Sequence, residues 1–323
     1  MQMERRHFLG GLATLATASA LSGTGVLAAK GRSMFKRLGK PIGLQLYTLG
    51  DEPRKDLDGV FAKLASIGYR DLELPSLFGK TPAVLKAAAD KAGVKFSAIH
   101  LPAMDGRGGG DQPLSILSPT QKIVDDLGIL GVKAAVMPIF AIPASFRTAP
   151  GANFQEKIAN AVAGEGVDFW KKTAALLNEK GAALKSSGIA VGYHNHNLEF
   201  APTGGTTGWE ILAKETDPKL VHFEVDVGWV AAAGLDPVAF LKTYAGRCRW
   251  IHVKDVKAST VTNFMLKMDP TEVGSGKQDW ARILPAARKA GVEHFYVEQE
   301  PPFTMSRMEA ATKSYAFLAG LKG

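Results

Sequence analysis

Ligand-type side chains are concentrated between Val191 and Phe200, in the segment VGYHNHNLEF. It begins with apolar and small residues typical of a buried strand, and then places His194, His196 and Glu199 within six positions. Comparable side chains follow later apolar runs: Glu224, Asp226, His252, Lys254, Asp255, Glu298 and Glu300. An unpaired carboxylate is costly among apolar strands. Mixed oxygen and nitrogen ligands suit Mn²⁺, Zn²⁺, Co²⁺ or Mg²⁺, so the pattern predicts one divalent metal ion.

The elements that must position these groups alternate between strand-like and helix-like segments from Pro41 to the carboxyl end. Eight strands and eight helices predict an α/β protein with a closed (β/α)8 TIM barrel. A doubly wound open sheet is the alternative, but no GxGxxG follows the first strand and polar residues end nearly every strand. The stretch 140–164 is expected to be an irregular loop that serves as a lid or substrate wall.

In a TIM barrel the active site lies at the carboxyl ends of the strands. Gln45, Glu73 and His100 end the first three predicted strands, so they become candidate substrate-binding residues. Glu73 could equally form a salt bridge at the rim, and His100 could orient another ligand. His252 and Glu298 also have structural alternatives, as a hydrogen-bonded core histidine and as the partner of a helix lysine.

The amino-terminal residues form a different kind of segment. Arg5 and Arg6 precede a short stretch rich in Ala, Gly, Ser and Thr, which ends in small residues. This order resembles a twin-arginine export signal, a receptor-read address and not a stable membrane anchor; an amphipathic helix is the alternative. We therefore predict a signal peptide at 1–29, a short linker at 30–40 and one barrel domain at 41–323. The twin-arginine machinery is then a partner, and the periplasm the location.

Composition limits the other function classes. The chain has 323 residues, a formal charge of +8 and one cysteine, Cys248. Its basic residues are dispersed, and it has only seven histidines, so nucleic acid is not an expected partner and an AP-endonuclease-like nuclease is a remote alternative. A non-catalytic sugar-binding protein is also remote, because it would need no site of several carboxylates around a metal. Whether the chain forms a homo-oligomer is left open.

The segments YHNHNLEF, EVDVGW, HVKD, VGSGKQDW and YVEQE occur in that order, and together they resemble the sugar phosphate isomerase/epimerase family of xylose isomerase-like barrels. The resemblance covers about 41–323 and implies a metal held by a Glu, an Asp, a His and a Glu. Asp226, His252 and Glu298 match the last three places. The first place departs from the family, because His194 stands where relatives carry glutamate. Either His194 or Glu199 is then the strand-five ligand, and we favour Glu199.

The resemblance also implies a reaction. A metal that chelates two neighbouring sugar oxygens acidifies an adjacent C–H bond, and this enediolate chemistry supports isomerisation, epimerisation or elimination. Glu298 and His196 are the expected proton carriers, and Lys254 would stabilise the oxyanion. The expected substrate-binding residues are His100, His194, Trp229, Gln45 and Glu73. We predict an isomerase or epimerase that acts on an unphosphorylated sugar or keto-sugar, with a keto-sugar lyase or hydratase as the alternative.

Overall fold

A computed structural model describes residues 33–104 and 114–323. The predicted signal peptide therefore lies outside the described residues. Eight parallel strands close into a barrel, which confirms the predicted (β/α)8 fold. The barrel strands are β1 (Gly43–Gln45), β2 (Asp71–Leu74), β3 (Lys95–His100), β4 (Ala134–Met137), β5 (Ala190–His194), β6 (Val221–Asp226), β7 (Cys248–Val253) and β8 (His294–Val297).

Helices surround the strands. They are α1 (Met34–Leu38), α2 (Glu52–Lys55), α3 (Leu57–Ile67), α4 (Pro82–Ala92), α5 (Thr120–Leu130), α6 (Phe154–Lys185), α7 (Gly208–Glu215), α8 (Val227–Ala232), α9 (Pro237–Thr243), α10 (Trp280–Ala290) and α11 (Arg307–Gly320). Short 3₁₀ turns cover Leu46–Leu49, Ala144–Arg147 and Leu198–Phe200, and two-residue strands pair Pro202–Thr203 with Thr206–Thr207 and Asp255–Val256 with Pro270–Thr271. In the described part of the chain, no helix is both long enough and apolar enough to cross a bilayer.

Two segments differ from the sequence-based expectation. The predicted loop at 140–164 contains the 3₁₀ turn Ala144–Arg147 and the first part of α6, whose start at Phe154 is capped by the Asn153 side chain. Helix α6 is interrupted at Gly166, where φ is 68°, a conformation that favours glycine. The predicted linker contains α1, and Phe35 packs edge-on against Phe295 of β8 at 5.7 Å between ring centres. The compact unit therefore begins before Pro41.

The strand register determines which side chains meet inside the barrel. Asp226 of β6 lies opposite His252 of β7, and His252 lies opposite Tyr296 of β8. Because side chains alternate along a strand, Glu224 and Asp226 share the interior face at successive levels. Three neighbouring strands thus deliver acidic and imidazole groups to the same side of the barrel.

The amino-terminal end of the barrel interior is filled by an apolar cluster. It consists of Ala98, Ala134, Val136, Trp250 and Tyr296, all of which are buried. The Trp250 ring lies so close to Gly192 that a Cβ there would come within 3.0 Å of it, so a larger residue on β5 at this level would require the ring to shift. This packing closes the interior below the polar residues, which are therefore reached from the carboxyl ends of the strands.

Candidate active site

Asp226, His252 and Glu298 bring potential metal ligands together at the carboxyl ends of β6, β7 and β8. One ligand atom from each lies within 4.8 Å of the other two. His252 Nδ1 is 2.8 Å from Glu298 Oε2 and 3.7 Å from Asp226 Oδ2. His194 at the end of β5 adds its Nε2, 3.9 Å from the same Asp226 oxygen. We call these four residues the mouth cluster.

Local structure fixes the orientation of Asp226. The residue is the N-cap of α8, and its Oδ1 accepts hydrogen bonds from the backbone N–H groups of Gly228 (2.8 Å) and Trp229 (3.0 Å). Capping uses one carboxylate oxygen, so Oδ2 is left to face the mouth cluster. The Asn195 side chain also accepts a hydrogen bond from the Asp226 backbone N–H at 3.0 Å.

Lys254 is the cation of this region, and its side chain is completely buried. Its Nζ lies 2.7 Å from Asp226 Oδ2, 2.8 Å from Glu298 Oε2 and 2.6 Å from Glu300 Oε1. Burial alone would lower the pKa of Lys254, but the three carboxylates outweigh it and raise the pKa well above the usual value. Gly228 permits this arrangement, because a Cβ there would lie 2.7 Å from Lys254 Cγ.

A second polar layer lies beneath the mouth cluster. Glu224 Oε2 is 2.9 Å from His100 Nε2, 3.1 Å from His194 Nδ1 and 3.2 Å from His252 Nε2. Glu73 Oε2 is 2.7 Å from His252 Nε2. Burial, followed by repulsion from Glu224, raises the pKa of Glu73 to about 8. Glu224 and Glu73 each retain one buried oxygen, Oε1, without a hydrogen-bond partner.

The cavity at the barrel mouth has a volume of about 260 Å³. It is lined by Tyr47, Pro75, His100, Pro138, Ile139, His194, His196, Glu298 and Glu300, so an apolar wall faces a wall of imidazole and carboxylate groups. A cavity of about 320 Å³ lies elsewhere, beside α7 and α9, but no predicted site residue lines it. Of these two cavities, the one at the barrel mouth is where the predicted imidazole and carboxylate groups converge. We therefore take the mouth cavity as the candidate site.

Several predicted site residues have other surroundings than expected. Glu199 belongs to neither potential metal-binding group among the described residues, and its Oε1 accepts a hydrogen bond from the Tyr193 hydroxyl at 2.8 Å. Burial raises the pKa of Glu199 to about 7. Trp229 is only 2% exposed and does not line the cavity, so it offers no free face for a sugar. Its indole N–H donates instead to Glu300 Oε1 at 3.2 Å.

The other predicted site residues lie at two depths in the barrel. His100, His194, His196 and Glu298 line the mouth cavity, whereas Gln45 and Glu73 are fully buried beneath it. Gln45 Nε2 lies 3.4 Å from His100 Nε2, so it contacts a cavity residue without reaching the cavity. Glu224 and Glu300 received no role from the sequence. The two-residue spacing of Glu224 from Asp226, and of Glu300 from Glu298, is the signal that could have identified them.

The chemistry of the donor set fits a divalent cation. Carboxylate oxygens and imidazole nitrogens are suitable ligands for Mn²⁺, Zn²⁺ and Co²⁺, and buried metal ligands need outer partners to orient them. The carboxylates of Asp226 and Glu298 lie beside the imidazoles of His194 and His252, and all four side chains are buried. Carboxylate oxygens and imidazole nitrogens that converge in one buried site fit a bound dication.

Comparison with known proteins agrees with this architecture. The model of the xylose isomerase-like TIM barrel family matches residues 61–320. The chain belongs to this family. A solved relative is a sugar phosphate isomerase/epimerase from Parabacteroides distasonis, which is 26% identical, covers 87% of this chain and 94% of its own, and has a TM-score of 0.67. The zinc-containing IolI protein shares the fold at 15% identity, with 86% and 98% coverage and a TM-score of 0.58.

Among curated proteins of the xylose isomerase-like family, the chain resembles inosose dehydratases. The enzyme of Geobacillus kaustophilus is 27% identical over 212 residues, which are 65% of this chain and 64% of that enzyme. The enzyme of Clostridium tetani is 36% identical over 94 residues, which are 28% and 30% of the two chains. The chain thus spans less than two thirds of the length of these relatives.

Proposed function

We propose that this protein is a divalent-metal-dependent enzyme that removes a proton next to the carbonyl of an unphosphorylated keto-sugar or cyclic polyol ketone and then expels water. One observation carries the proposal: Asp226, His252 and Glu298 converge beside a buried lysine at the open end of the barrel. A binding protein would not need this costly assembly of charge. The resemblance to inosose dehydratases supports dehydration as the outcome.

His194, Asp226, His252 and Glu298 would hold the metal. We place His194 rather than Glu199 in the strand-five position, because the His194 ring lies beside Asp226 and lines the cavity, whereas the Glu199 carboxylate is turned to Tyr193. When bound, the ion supplies Lewis-acid polarisation of the substrate carbonyl.

Two residues of the chain itself are suited to move protons. His196 lines the cavity, with its ring held between His194 and Trp229 at 5.0 and 5.3 Å between ring centres, so it can accept the proton from carbon. Lys254 does not line the cavity, so it would supply a proton to the departing hydroxyl through Glu300, which does. The C–H and C–O bonds break, a C=C bond forms, and the hydroxyl leaves as water. Glu300 Oε1 lies 2.6 Å from the Lys254 ammonium, close enough to pass on its proton and to help restore it.

Isomerisation or epimerisation is the second candidate, and the likeness to the Parabacteroides distasonis isomerase/epimerase favours it. Both outcomes begin with the same proton removal, and they differ in the next step. If His196 or a neighbour returns the proton to carbon before the hydroxyl leaves, the substrate is epimerised or isomerised and no water is lost. The fate of the hydroxyl therefore distinguishes them.

The lining of the mouth cavity supports an uncharged substrate. Among the described lining residues there is no lysine or arginine, and two glutamates, Glu298 and Glu300, contribute negative charge. Arginine and lysine bind a phosphate group most strongly, and the N–H donors of this lining are the imidazoles of His100, His194 and His196. Tyr47, Pro138 and Ile139 instead provide apolar surface, which suits the C–H face of a sugar ring.

Proton NMR in D₂O tests this function. The purified protein, loaded with Mn²⁺ for turnover and exchanged into Zn²⁺ for spectra, would be incubated with inososes, 3-keto-sugars and their phosphorylated counterparts. We expect loss of one C–H signal next to the carbonyl together with a dehydrated product, and no reaction of the phosphorylated compounds. Deuterium at an inverted carbon without water loss would establish the epimerase instead. No exchange with any ketone would contradict both.

We also propose that the protein is exported to the periplasm through its twin-arginine segment. The proposal rests on Arg5 and Arg6 and on the small-residue stretch that follows them. Cell fractionation of the full chain and of a variant with both arginines changed to lysine tests it. We expect the wild-type protein to be exported and the variant to stay in the cytoplasm. Retention of both proteins in the cytoplasm would refute the assignment.

A further inference from the structure

The carboxylate of Glu224 has an unusual set of neighbours. A single oxygen, Oε2, is within 3.2 Å of nitrogens from three histidines, His100, His194 and His252. The side chain is fully buried, so water does not compete for these contacts. Two of the three histidines belong to the mouth cluster. Glu224 therefore links both imidazole members of that cluster from below.

The two ligand histidines present opposite nitrogens to the two layers. His252 directs Nδ1 to Glu298 and Asp226 and Nε2 to Glu224. His194 directs Nε2 to Asp226 and Nδ1 to Glu224. A neutral imidazole carries one N–H, and a carboxylate accepts a hydrogen bond only from the protonated nitrogen. For His194, whose Nε2 lies 3.9 Å from Asp226 Oδ2, the carboxylate below thus leaves the upper nitrogen with a free lone pair, whereas His252 has carboxylates at both nitrogens, with Glu298 Oε2 2.8 Å from Nδ1.

We propose that Glu224 is a positioning residue that fixes the tautomer of His194, so that this ring offers its upper nitrogen, Nε2, to the metal. The inference rests on the proposed metal-dependent function and adds a residue to it. Outer partners of this kind orient ligand histidines and raise their basicity. The same Glu224 oxygen also lies 3.2 Å from His252 Nε2, so the strand-five and strand-seven ligands share one acidic neighbour.

Glu73 makes the proposal more specific. It provides His252 Nε2 with a second carboxylate at 2.7 Å, whereas among the described residues Glu224 is the only carboxylate near His194 Nδ1. Loss of the Glu224 charge should therefore disturb His194 more than His252. Loss of the Glu73 charge should disturb His252 and leave His194 in place. A role of Glu224 in packing alone would not produce this difference.

The experiment compares Glu224→Gln with wild type, using Glu73→Gln and Glu199→Gln as matched variants. All three replace a buried glutamate by its amide, but the Glu199 carboxylate contacts Tyr193 and no ligand. Zn²⁺ affinity and stoichiometry would be measured by competition with a chelator. Nitrogen NMR of ¹⁵N-histidine protein would report the tautomer of each ring. We expect Glu224→Gln to weaken Zn²⁺ binding about 10- to 100-fold, and Glu199→Gln to leave it unchanged.

The spectra should show His194 protonated at Nδ1 in wild type, with this signature lost or mixed in Glu224→Gln. Unchanged Zn²⁺ affinity and unchanged tautomers in that variant would overturn the positioning role of Glu224 but leave the proposed function standing. Two Zn²⁺ per wild-type chain, with one lost in Glu224→Gln, would make Glu224 a ligand and also overturn it. Wild type without any bound metal would refute the proposed function itself. If Glu224→Gln does not fold, Glu224→Asp replaces it, with an intermediate affinity expected from its shorter carboxylate.

Discussion

Replacement of Lys254 by methionine probes the balance of charge at the barrel mouth. Methionine has a similar length, so the change mainly removes the ammonium group that lies within 2.8 Å of Asp226, Glu298 and Glu300. Removing one partner of a buried ion pair leaves uncompensated charge and lowers the free energy of unfolding by about 3–5 kcal/mol. For a domain of this size that corresponds to a midpoint about 5–8 °C lower.

A bound dication should offset much of that loss. The ion would share Asp226 Oδ2 and Glu298 Oε2 with the Lys254 ammonium, so removal of the lysine leaves these oxygens more strongly attractive to a cation. Ligand at 100 times its dissociation constant adds about 2.7 kcal/mol of stability. Mn²⁺ should therefore raise the melting midpoint of Lys254→Met by more than that of wild type, while turnover stays absent because the proton donor is gone.

Thermal unfolding followed by circular dichroism, in EDTA and in excess Mn²⁺, measures both effects. Lys91→Met is the control, because its Nζ also lies 2.6 Å from a carboxylate, Asp58, but on an exposed surface. Exposed pairs contribute little, so its midpoint should scarcely move. A Lys254→Met midpoint equal to wild type in EDTA, or an equal metal-induced increase in both proteins, would refute the reasoning.

Three further predictions address neighbouring groups. Asp226→Asn and His252→Ala should each abolish metal binding and turnover while circular dichroism remains that of wild type; normal turnover in either would refute the ligand assignment. The pKa of Glu199, raised to about 7, means that folding stability falls by about 3 kcal/mol as pH rises from 4.5 through 7, and urea titrations should show Glu199→Gln without this decline. Burial, and then the charges of Arg249 and Arg247, lower the pKa of His222 to about 4, so folding stability is lost as pH falls from 6.5 towards 4. The stability of His222→Gln should therefore be less sensitive to acid, and a pH profile identical to that of wild type would contradict this.

The fold could be predicted because apolar strands and amphipathic helices alternate with regular spacing. Convergence of Asp226, His252 and Glu298 followed from the same pattern, since they end or follow three consecutive strands, which pair in a barrel. These parts of the site depend on the strands alone.

Residues beyond the strand ends could not be placed in this way. Glu199 lies in the 3₁₀ turn Leu198–Phe200, and the direction of its side chain depends on tertiary contact with Tyr193. Trp229 lies in the first turn of α8, where packing against Lys254 and Glu300 covers its ring. The helical start at Phe154 was missed because the preceding segment contains several prolines and glycines, and these residues usually indicate a loop.

The central claim is that a single dication binds where β5, β6, β7 and β8 end. Anomalous diffraction from crystals grown with Mn²⁺ tests it most directly. We predict one peak at about 2.0–2.3 Å from His194 Nε2, Asp226 Oδ2, His252 Nδ1 and Glu298 Oε2. No peak at the barrel mouth, or a peak bound by Glu199 with His194 turned away, would contradict the account.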